Sequence, residues 1–171
     1  IIGLFNMPAM GIGQATASLV GQALGRKHIS EARSIVRSAL IFVLAFLCVS
    51  MVFTFFYGNH FTRFFVNDPE VIAYGTSLFR IVSVSVLFFG CFTVLGGVFQ
   101  GGGYTKAYML LNMIRLWGVR LPLSWLLGYP LGMGPTGVWW AMFLSNITVF
   151  IAASILYKRE KWALALSPDT I

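Results

Sequence analysis

This sequence of 171 residues carries little charge and very little acid. Only 10% of its residues are charged, whereas about a quarter are charged in a typical soluble domain. The low charge argues against an ordinary soluble globular protein. None of the acids lies in the core of a long apolar stretch, so no carboxylate pair is placed there for acid–base chemistry. The five acids are Glu31, Asp68, Glu70, Glu160 and Asp169.

Cysteine and histidine are equally scarce, with two residues of each. Cys48 and Cys91 lie within apolar stretches, where we expect small buried residues rather than a disulfide. His28 and His60 are isolated in the sequence, and no nucleophile is paired with a base. We therefore expect no metal site, no bound cofactor and no catalytic residues, and the sequence does not indicate an enzyme.

Apolar residues, by contrast, make up 58% of the chain. Residues 1–25, 38–62, 81–105 and 121–157 contain no Asp, Glu, Lys or Arg. A helix of about 25 residues is about 37 Å long and exceeds the hydrocarbon core of a bilayer, which is about 30 Å thick. The stretches show no alternation of polar and apolar residues, which favours helices over barrel strands. We predict an all-α integral membrane protein.

Five membrane-spanning helices are predicted in a single transmembrane domain that covers residues 1–171. One helix begins at Pro69, because Asp68, Pro69 and Glu70 have the order of an N-cap residue, a first-turn proline and a first-turn acid. Glycine-rich segments end the third span and separate the last two. The spans are placed at about residues 1–25, 35–57, 69–100, 108–127 and 137–157.

The net charge of +7 does not indicate nucleic-acid binding, because the basic residues lie at the ends of apolar stretches. They are most numerous in the first loop and the tail, sparse in the second loop and absent from the fourth. The positive-inside rule then places the first loop, the third loop and the tail in the cytoplasm. We expect a multi-pass protein of the cell (plasma) membrane with residue 171 cytoplasmic.

The first predicted span carries two adjacent ridges. Every fourth residue from Ala9 to Gly25 is Ala or Gly, which lets a neighbouring helix approach closely, and Gly97 and Gly101 have the same spacing in the third span. The second ridge is mostly polar and should face other helices or a water-filled cavity, because polar groups are costly in lipid. Interhelical hydrogen bonding and a substrate pathway both account for it. This polar ridge consists of Asn6, Met10, Gln14, Ser18 and Gln22.

The fourth predicted span contains Arg115 and Arg120. An arginine deep in a membrane helix costs about 2.5–3.5 kcal/mol and is by default a functional hypothesis. Pro122 leaves the carbonyl of Gly118 without its helical donor, and either arginine could hydrogen-bond to that oxygen. Snorkelling of Arg115 to the membrane surface is the alternative.

Seven segments, in order along the chain, resemble the multidrug and toxic compound extrusion (MATE) family of transporters. Single motifs of this kind are weak, but their order and their extent over nearly the whole chain make the resemblance specific. The segments are residues 7–25 (eighth helix of the family), 31–33 (start of the ninth), 64–71 (loop before the tenth), 99–105 (the turn after it), 117–123 and 134–141 (the last two helices) and 159–162 (tail).

The resemblance implies helices eight to twelve of a two-lobed, twelve-helix protein, with the amino-terminal lobe and the seventh helix outside this sequence. Members exchange amphipathic organic cations for Na⁺ or H⁺ by alternating access, so the bilayer, small organic cations and the other lobe are the expected partners. In such a lobe the side chains of Asn6, Gln14, Ser18 and Gln22 would face the central cavity. Phe88 and Phe92 would contact a cation, with packing or lipid contact as their alternative.

The sequence departs from the family pattern at its acids. Tyr104 stands where the family often has an acid, and residues 78–100 contain none, so the other lobe is expected to bind the coupling ion. A lipid-linked oligosaccharide flippase of related fold is the nearest rival, with Arg115 and Arg120 binding phosphate. A non-transporting membrane subunit is a further alternative.

Overall fold

The computed structural model describes residues 2–65, 69–159 and 161–164. Helices joined by short turns make up these ranges, and no strand occurs within them. The all-α class predicted from the sequence is therefore confirmed. The helices are α1 (Ile2–Gly25), α2 (Ile29–Phe65), α3 (Pro69–Gly101), α4 (Thr105–Met113), a π-helix (Ile114–Arg120), α5 (Leu121–Gly128), α6 (Pro135–Lys158) and α7 (Lys161–Leu164).

Three helical stretches are long and apolar enough to cross a membrane by length and composition alone. They are Ile29–Phe53, Leu78–Gly101 and Pro135–Lys158. Large apolar side chains also stand outward, with Phe42 70% and Trp117 71% exposed. Soluble proteins rarely expose apolar surface of this extent, whereas lipid tails solvate it. The fold is that of an integral membrane protein.

The first and fourth predicted spans are absent from that set of three. The α1 helix is absent because the amide and hydroxyl side chains of the polar ridge lower its mean hydropathy. The α4 helix, the π-helix and α5 follow one another without a break over residues 105–128, but each element is short. The described chain thus has five long helical segments, and the assignment of all five as membrane spans stays a prediction.

The central helix of the bundle is α3, against which α1, α2, α4 and α6 pack. The π-helix and α5 pack against α6. A helix covered on all sides is expected to be apolar all round, as α3 is from residue 90 to residue 99 apart from Thr93, whose hydroxyl donates to the Phe89 carbonyl of its own helix. Cys48, expected to be buried, is exposed because it lies on the outward face of α2. A small core cluster between α1, α2 and α3 contains Ala9, Val43, Leu47, Cys91 and Val94.

The small-residue ridge of α1 packs directly against the backbone of α3. A Cβ atom on Gly21 would lie 3.3 Å from the carbonyl oxygen of Gly101, and one on Gly101 would lie 3.0 Å from the Gly21 nitrogen. A Cβ atom on Gly97 would overlap the carbonyl group of Gly13. Glycines from both helices therefore allow this contact, as their spacing predicts. Gly25 does not take part, because no atom of another described helix lies within 4 Å of its Cβ position.

Both ends of α3 follow from local sequence. The helix begins at Pro69 as predicted, while its predicted N-cap, Asp68, lies outside the described residues. At the other end Gly103 has a φ of 75°, and the Tyr104 amide donates to the Phe99 carbonyl over 2.7 Å. A left-handed glycine after a helix allows this closing hydrogen bond. The chain then reverses into α4.

Candidate functional site

The polar ridge of α1 lies on the surface of the bundle, beside the ridge that packs against α3. Gln14, Ser18 and Gln22 are exposed, and the Gln22 Nε2 atom donates to Ser18 Oγ over 3.3 Å. These three side chains make no hydrogen bond to another of the described helices. The side chain of Asn6 lies outside the described part of the structure. The exposed amides are thus available to water, substrate or another part of the protein.

Phe88 and Phe92 pack between helices. The half-buried Phe88 ring lies edge-on to Phe143 of α6, with centroids 6.1 Å apart. Phe92 is completely buried, and its ring centroid lies 5.4 Å from that of Tyr108. Phe92 takes the packing alternative in this structure, because α4 covers this face of the central helix. Its contact with a substrate stays a prediction. Only Phe88 keeps exposed surface.

Arg115 lies against the aromatic face of α3. Its Cζ atom is 4.9 Å from the ring centroid of Phe89 and 5.5 Å from that of Phe92. Arginine stacks favourably on aromatic rings, and this contact partly compensates for the loss of water. The buried Nε atom of Arg115 has no hydrogen-bond partner among the described residues. These contacts direct the guanidinium towards α3, and snorkelling to the membrane surface stays the alternative for Arg115.

A π-helix accommodates the proline that follows Arg120. The Leu121 amide donates to the Leu116 carbonyl, five residues earlier, just before Pro122. A wider turn gives the proline ring room at a position where the helix lacks an N–H donor. Such turns are frequent at functional sites. No side-chain hydrogen bond from either arginine to the Gly118 carbonyl occurs in the described chain, so that prediction was wrong. The Nε atom of Arg120 is also buried without a partner there.

An open groove of about 430 Å³ runs along α4 and the π-helix. The Tyr108 ring forms part of its wall and covers Gly96, where a Cβ atom would lie 2.6 Å from Tyr108 Cζ. Sequence reasoning missed the groove because its walls come from both sides of a turn. Its lining includes Tyr108, Met109, Asn112, Met113, Leu116 and Trp117.

A buried hydrogen bond joins α3 and α6 and was also missed. Asn146 Nδ2 donates to Ser85 Oγ over 2.9 Å, and both residues are buried. The Oδ1 atom of Asn146 has no partner within the described part of the chain. The available signal was a lone amide in the middle of an uncharged predicted span, where a polar group needs a partner.

Comparison with known proteins identifies the family. The MatE family model matches residues 1–126, which is most of the chain, and the chain therefore belongs to the MatE family. It is 32% identical over 160 residues to the probable multidrug resistance protein NorM of Mannheimia succiniciproducens. It is 28% identical over 163 residues to Protein DETOXIFICATION 30 of Arabidopsis thaliana. The two matches cover 91% and 95% of this chain but only 34% and 32% of those proteins, so it spans about a third of their length.

A solved structure shares the fold. The chain superimposes on the inward-facing conformation of a multidrug resistance MATE family transporter of the MOP superfamily with a TM-score of 0.85 and 17% identity. The match covers 99% of this chain and 39% of that one. The resemblance read from the sequence is thus confirmed for both family and fold, and the partial coverage fits one lobe of such a transporter.

Proposed function

We propose that this chain forms helices eight to twelve, in the carboxy-terminal lobe, of a secondary active multidrug efflux transporter. The transporter exchanges amphipathic organic cations for Na⁺ or H⁺ by alternating access, and it performs no covalent chemistry. It lies in the plasma membrane with residue 171 in the cytoplasm. Family membership and the relatives named as multidrug resistance proteins support the proposal. The observation that carries it is the exposed polar ridge of α1.

The ridge supports the proposal because a row of amide side chains is energetically costly in contact with lipid. Exposed amides in a bilayer are stable only where water or other protein covers them. The outward face of α2, with Phe42 and Val49, is apolar and suits lipid. The polar ridge therefore marks the side turned towards the second lobe and the central cavity. There Asn6, Gln14, Ser18 and Gln22 would hydrogen-bond to substrate, with Phe88 at the rim.

The coupling ion is proposed to bind outside these residues. No acid lies within residues 78–100, and Glu31 lies in the first turn of α2, where its carboxylate is 3.8 Å from Arg26 and 3.3 Å from His28. Intramembrane acids are the usual carriers of protons and Na⁺ in transporters. The amino-terminal lobe and the seventh helix of the same protein would supply them.

The experiment measures export of a cationic dye by the full-length protein in membrane vesicles under an imposed Na⁺ or pH gradient. Gln14→Leu should lower the rate about tenfold at normal abundance, because one hydrogen bond to a charged ligand is worth roughly that factor. Met10→Leu on the same ridge removes no polar group and should leave the rate unchanged. Absence of gradient-driven export by the wild type would refute the proposed function.

A further inference from the structure

A shallow pocket lies between α3 and α6, near the ends at which both helices begin. Its volume is about 210 Å³, and Arg80 is the one charged side chain among its described lining residues. Apolar side chains form the rest of the wall. The ring of Trp140 lies edge-on to that of Phe143, with centroids 5.6 Å apart. The lining consists of Arg80, Ile81, Val84, Trp140 and Phe143.

The pocket lies at the depth where lipid head groups meet acyl chains. The stretches of α3 and α6 that are long enough to cross a membrane begin at Leu78 and Pro135. At about 1.5 Å per residue, Arg80 and Trp140 lie within about 8 Å of these starting points. Tryptophan is enriched at this boundary, where long basic side chains reach the head groups. Because the second and fourth loops precede these helices, the predicted topology places the pocket in the non-cytoplasmic leaflet.

The pocket faces away from the helix that carries the polar ridge. At about 100° per residue, Val84 and Gly97 lie about 140° apart around the axis of α3. Gly97 contacts the backbone of α1. Val84 is therefore on the opposite side of α3 from α1 and from the proposed cavity face. A cargo molecule bound along the polar ridge would not reach the pocket.

The wall of the pocket continues into an apolar stripe on α6. Four large side chains on one face of this helix have exposed fractions from 39% to 51%. A continuous exposed apolar surface is rare on soluble proteins and marks contact with a membrane or another protein. The stripe gives an acyl chain that leaves the pocket an apolar path along the helix. It consists of Trp140, Leu144, Ile151 and Ile155.

The charge of Arg80 determines which head group fits. Its side chain is exposed at the pocket. A guanidinium has five N–H donors, so it can bind a phosphate while it keeps a contact within the protein. Guanidinium and phosphate match through two parallel hydrogen bonds. The described lining contains no carboxylate for the ammonium group of a zwitterionic lipid. The electrostatic complement of the pocket is a phospholipid of net negative charge.

We infer that this pocket binds an anionic phospholipid of the non-cytoplasmic leaflet. The lipid phosphate binds the guanidinium of Arg80, and Trp140 lies beside the glycerol backbone. One acyl chain passes over Val84 and Phe143 and continues along the apolar stripe of α6. The lipid thereby bridges α3 and α6 at their non-cytoplasmic ends. This site is separate from the proposed cargo pathway and does not depend on the identity of the cargo.

The test places the full-length protein in phosphatidylcholine nanodiscs with a trace of phosphatidylglycerol that carries a photoreactive diazirine in one acyl chain. Peptide mass spectrometry should find cross-links in residues 78–88 of α3 and 140–151 of α6. A phosphatidylcholine probe with the same chain should give about threefold fewer, because its ammonium group weakens the attraction to an exposed arginine.

The decisive variant is Arg80→Gln. It should lower the phosphatidylglycerol cross-links about fivefold, the factor for an ion pair at an exposed site, and abolish the preference between the two probes. Arg37→Gln is the matched control, because it removes the same charge on the predicted cytoplasmic side, and it should change neither probe. Val84→Phe keeps Arg80 and fills the pocket, and it should lower the cross-links of both probes.

Equal cross-linking of the two probes to the wild type, or unchanged cross-linking in Arg80→Gln, would overturn the inference. Cross-links absent from both segments, as expected if another part of the full-length protein fills the pocket, would also overturn it. Displacement of the phosphatidylglycerol probe by a cationic dye would make the pocket a cargo site instead. Should Arg80→Gln accumulate poorly, Val84→Phe provides the comparison. None of these measurements requires transport, so the proposed function stands or fails separately.

Discussion

Gly97 of α3 lies so close to Gly13 of α1 that a Cβ atom on Gly97 would overlap the Gly13 carbonyl group. This backbone contact fixes the rotation of α1 about its own axis. Because Gln14 follows Gly13 in the helix, the contact also determines that the polar ridge points away from α3. The packing of glycines thus sets the orientation of the proposed cavity face.

Gly97→Ala should destabilise the protein by about 1–3 kcal/mol, because the methyl group forces α1 away from α3. The measurement is the unfolding temperature of the purified full-length protein in detergent. Gly11→Ala is the matched control in α1, since no atom of another described helix lies within 4 Å of its Cβ position. Equal unfolding temperatures for the two variants would show that the contact does not hold the helices together.

Asn146 and Ser85 should be energetically coupled, because each side chain satisfies the other through their buried hydrogen bond. Asn146→Leu leaves the Ser85 hydroxyl without this donor in an apolar core, at a cost of about 1–3 kcal/mol. Adding Ser85→Ala removes the stranded group and should recover much of that loss. A double-mutant cycle on detergent-solubilised protein measures the coupling. Strict additivity of the two substitutions would show that the bond contributes nothing.

The Tyr108 ring should move when Gly96 is replaced by alanine. The new methyl group would lie 2.6 Å from Tyr108 Cζ, so the ring must shift into the groove. We expect Gly96→Ala to lower the free energy of unfolding by about 1–3 kcal/mol, because the ring must leave its packed position. Gly118→Ala is the control, because its Cβ position is 3.6 Å from Ile114 Cγ2, an ordinary contact. Equal unfolding temperatures for Gly96→Ala and Gly118→Ala would contradict close packing of the Tyr108 ring on Gly96.

The tail should depend on Trp162 for its position. This side chain is 1% exposed, stacks on Tyr157 with ring centroids 5.3 Å apart, and donates from Nε1 to the Tyr157 carbonyl over 3.1 Å. Trp162→Ala should lower the free energy of unfolding by about 3–5 kcal/mol, as for other core tryptophans. Trp125→Ala, at an outward position, should have little effect. Similar losses in both variants would contradict a specific role for Trp162.

The sequence was sufficient for the class of fold and for the faces of α1. A period near four defines a ridge on a single helix, so the packing of Gly13 and the exposure of Gln14 both follow from local spacing. Periodicity does not say which helix covers a face. The burial of Phe92 depends on the position of α4 in the bundle. The Asn146–Ser85 hydrogen bond joins residues that are 61 positions apart in the sequence.

The π-helix and the groove could not be predicted from the sequence, for a related reason. Pro122 indicates a disturbed helix, but the disturbance can become a kink, a break or a wider turn. The structure shows the wider turn, and with it the placement of Arg115 over aromatic rings of α3. That pairing depends on the angle between two helices, which no local pattern encodes.

The orientation of the polar ridge is the central claim, and cysteine labelling in intact membranes tests it most directly. Ser18→Cys on the ridge and Ile151→Cys on the outward face of α6 are compared in full-length protein with all other cysteines replaced. With a membrane-impermeant maleimide, the account predicts that Ser18→Cys is labelled, that a cationic dye slows this labelling, and that Ile151→Cys resists it. Resistance of both positions, or labelling of Ile151→Cys alone, would contradict the account.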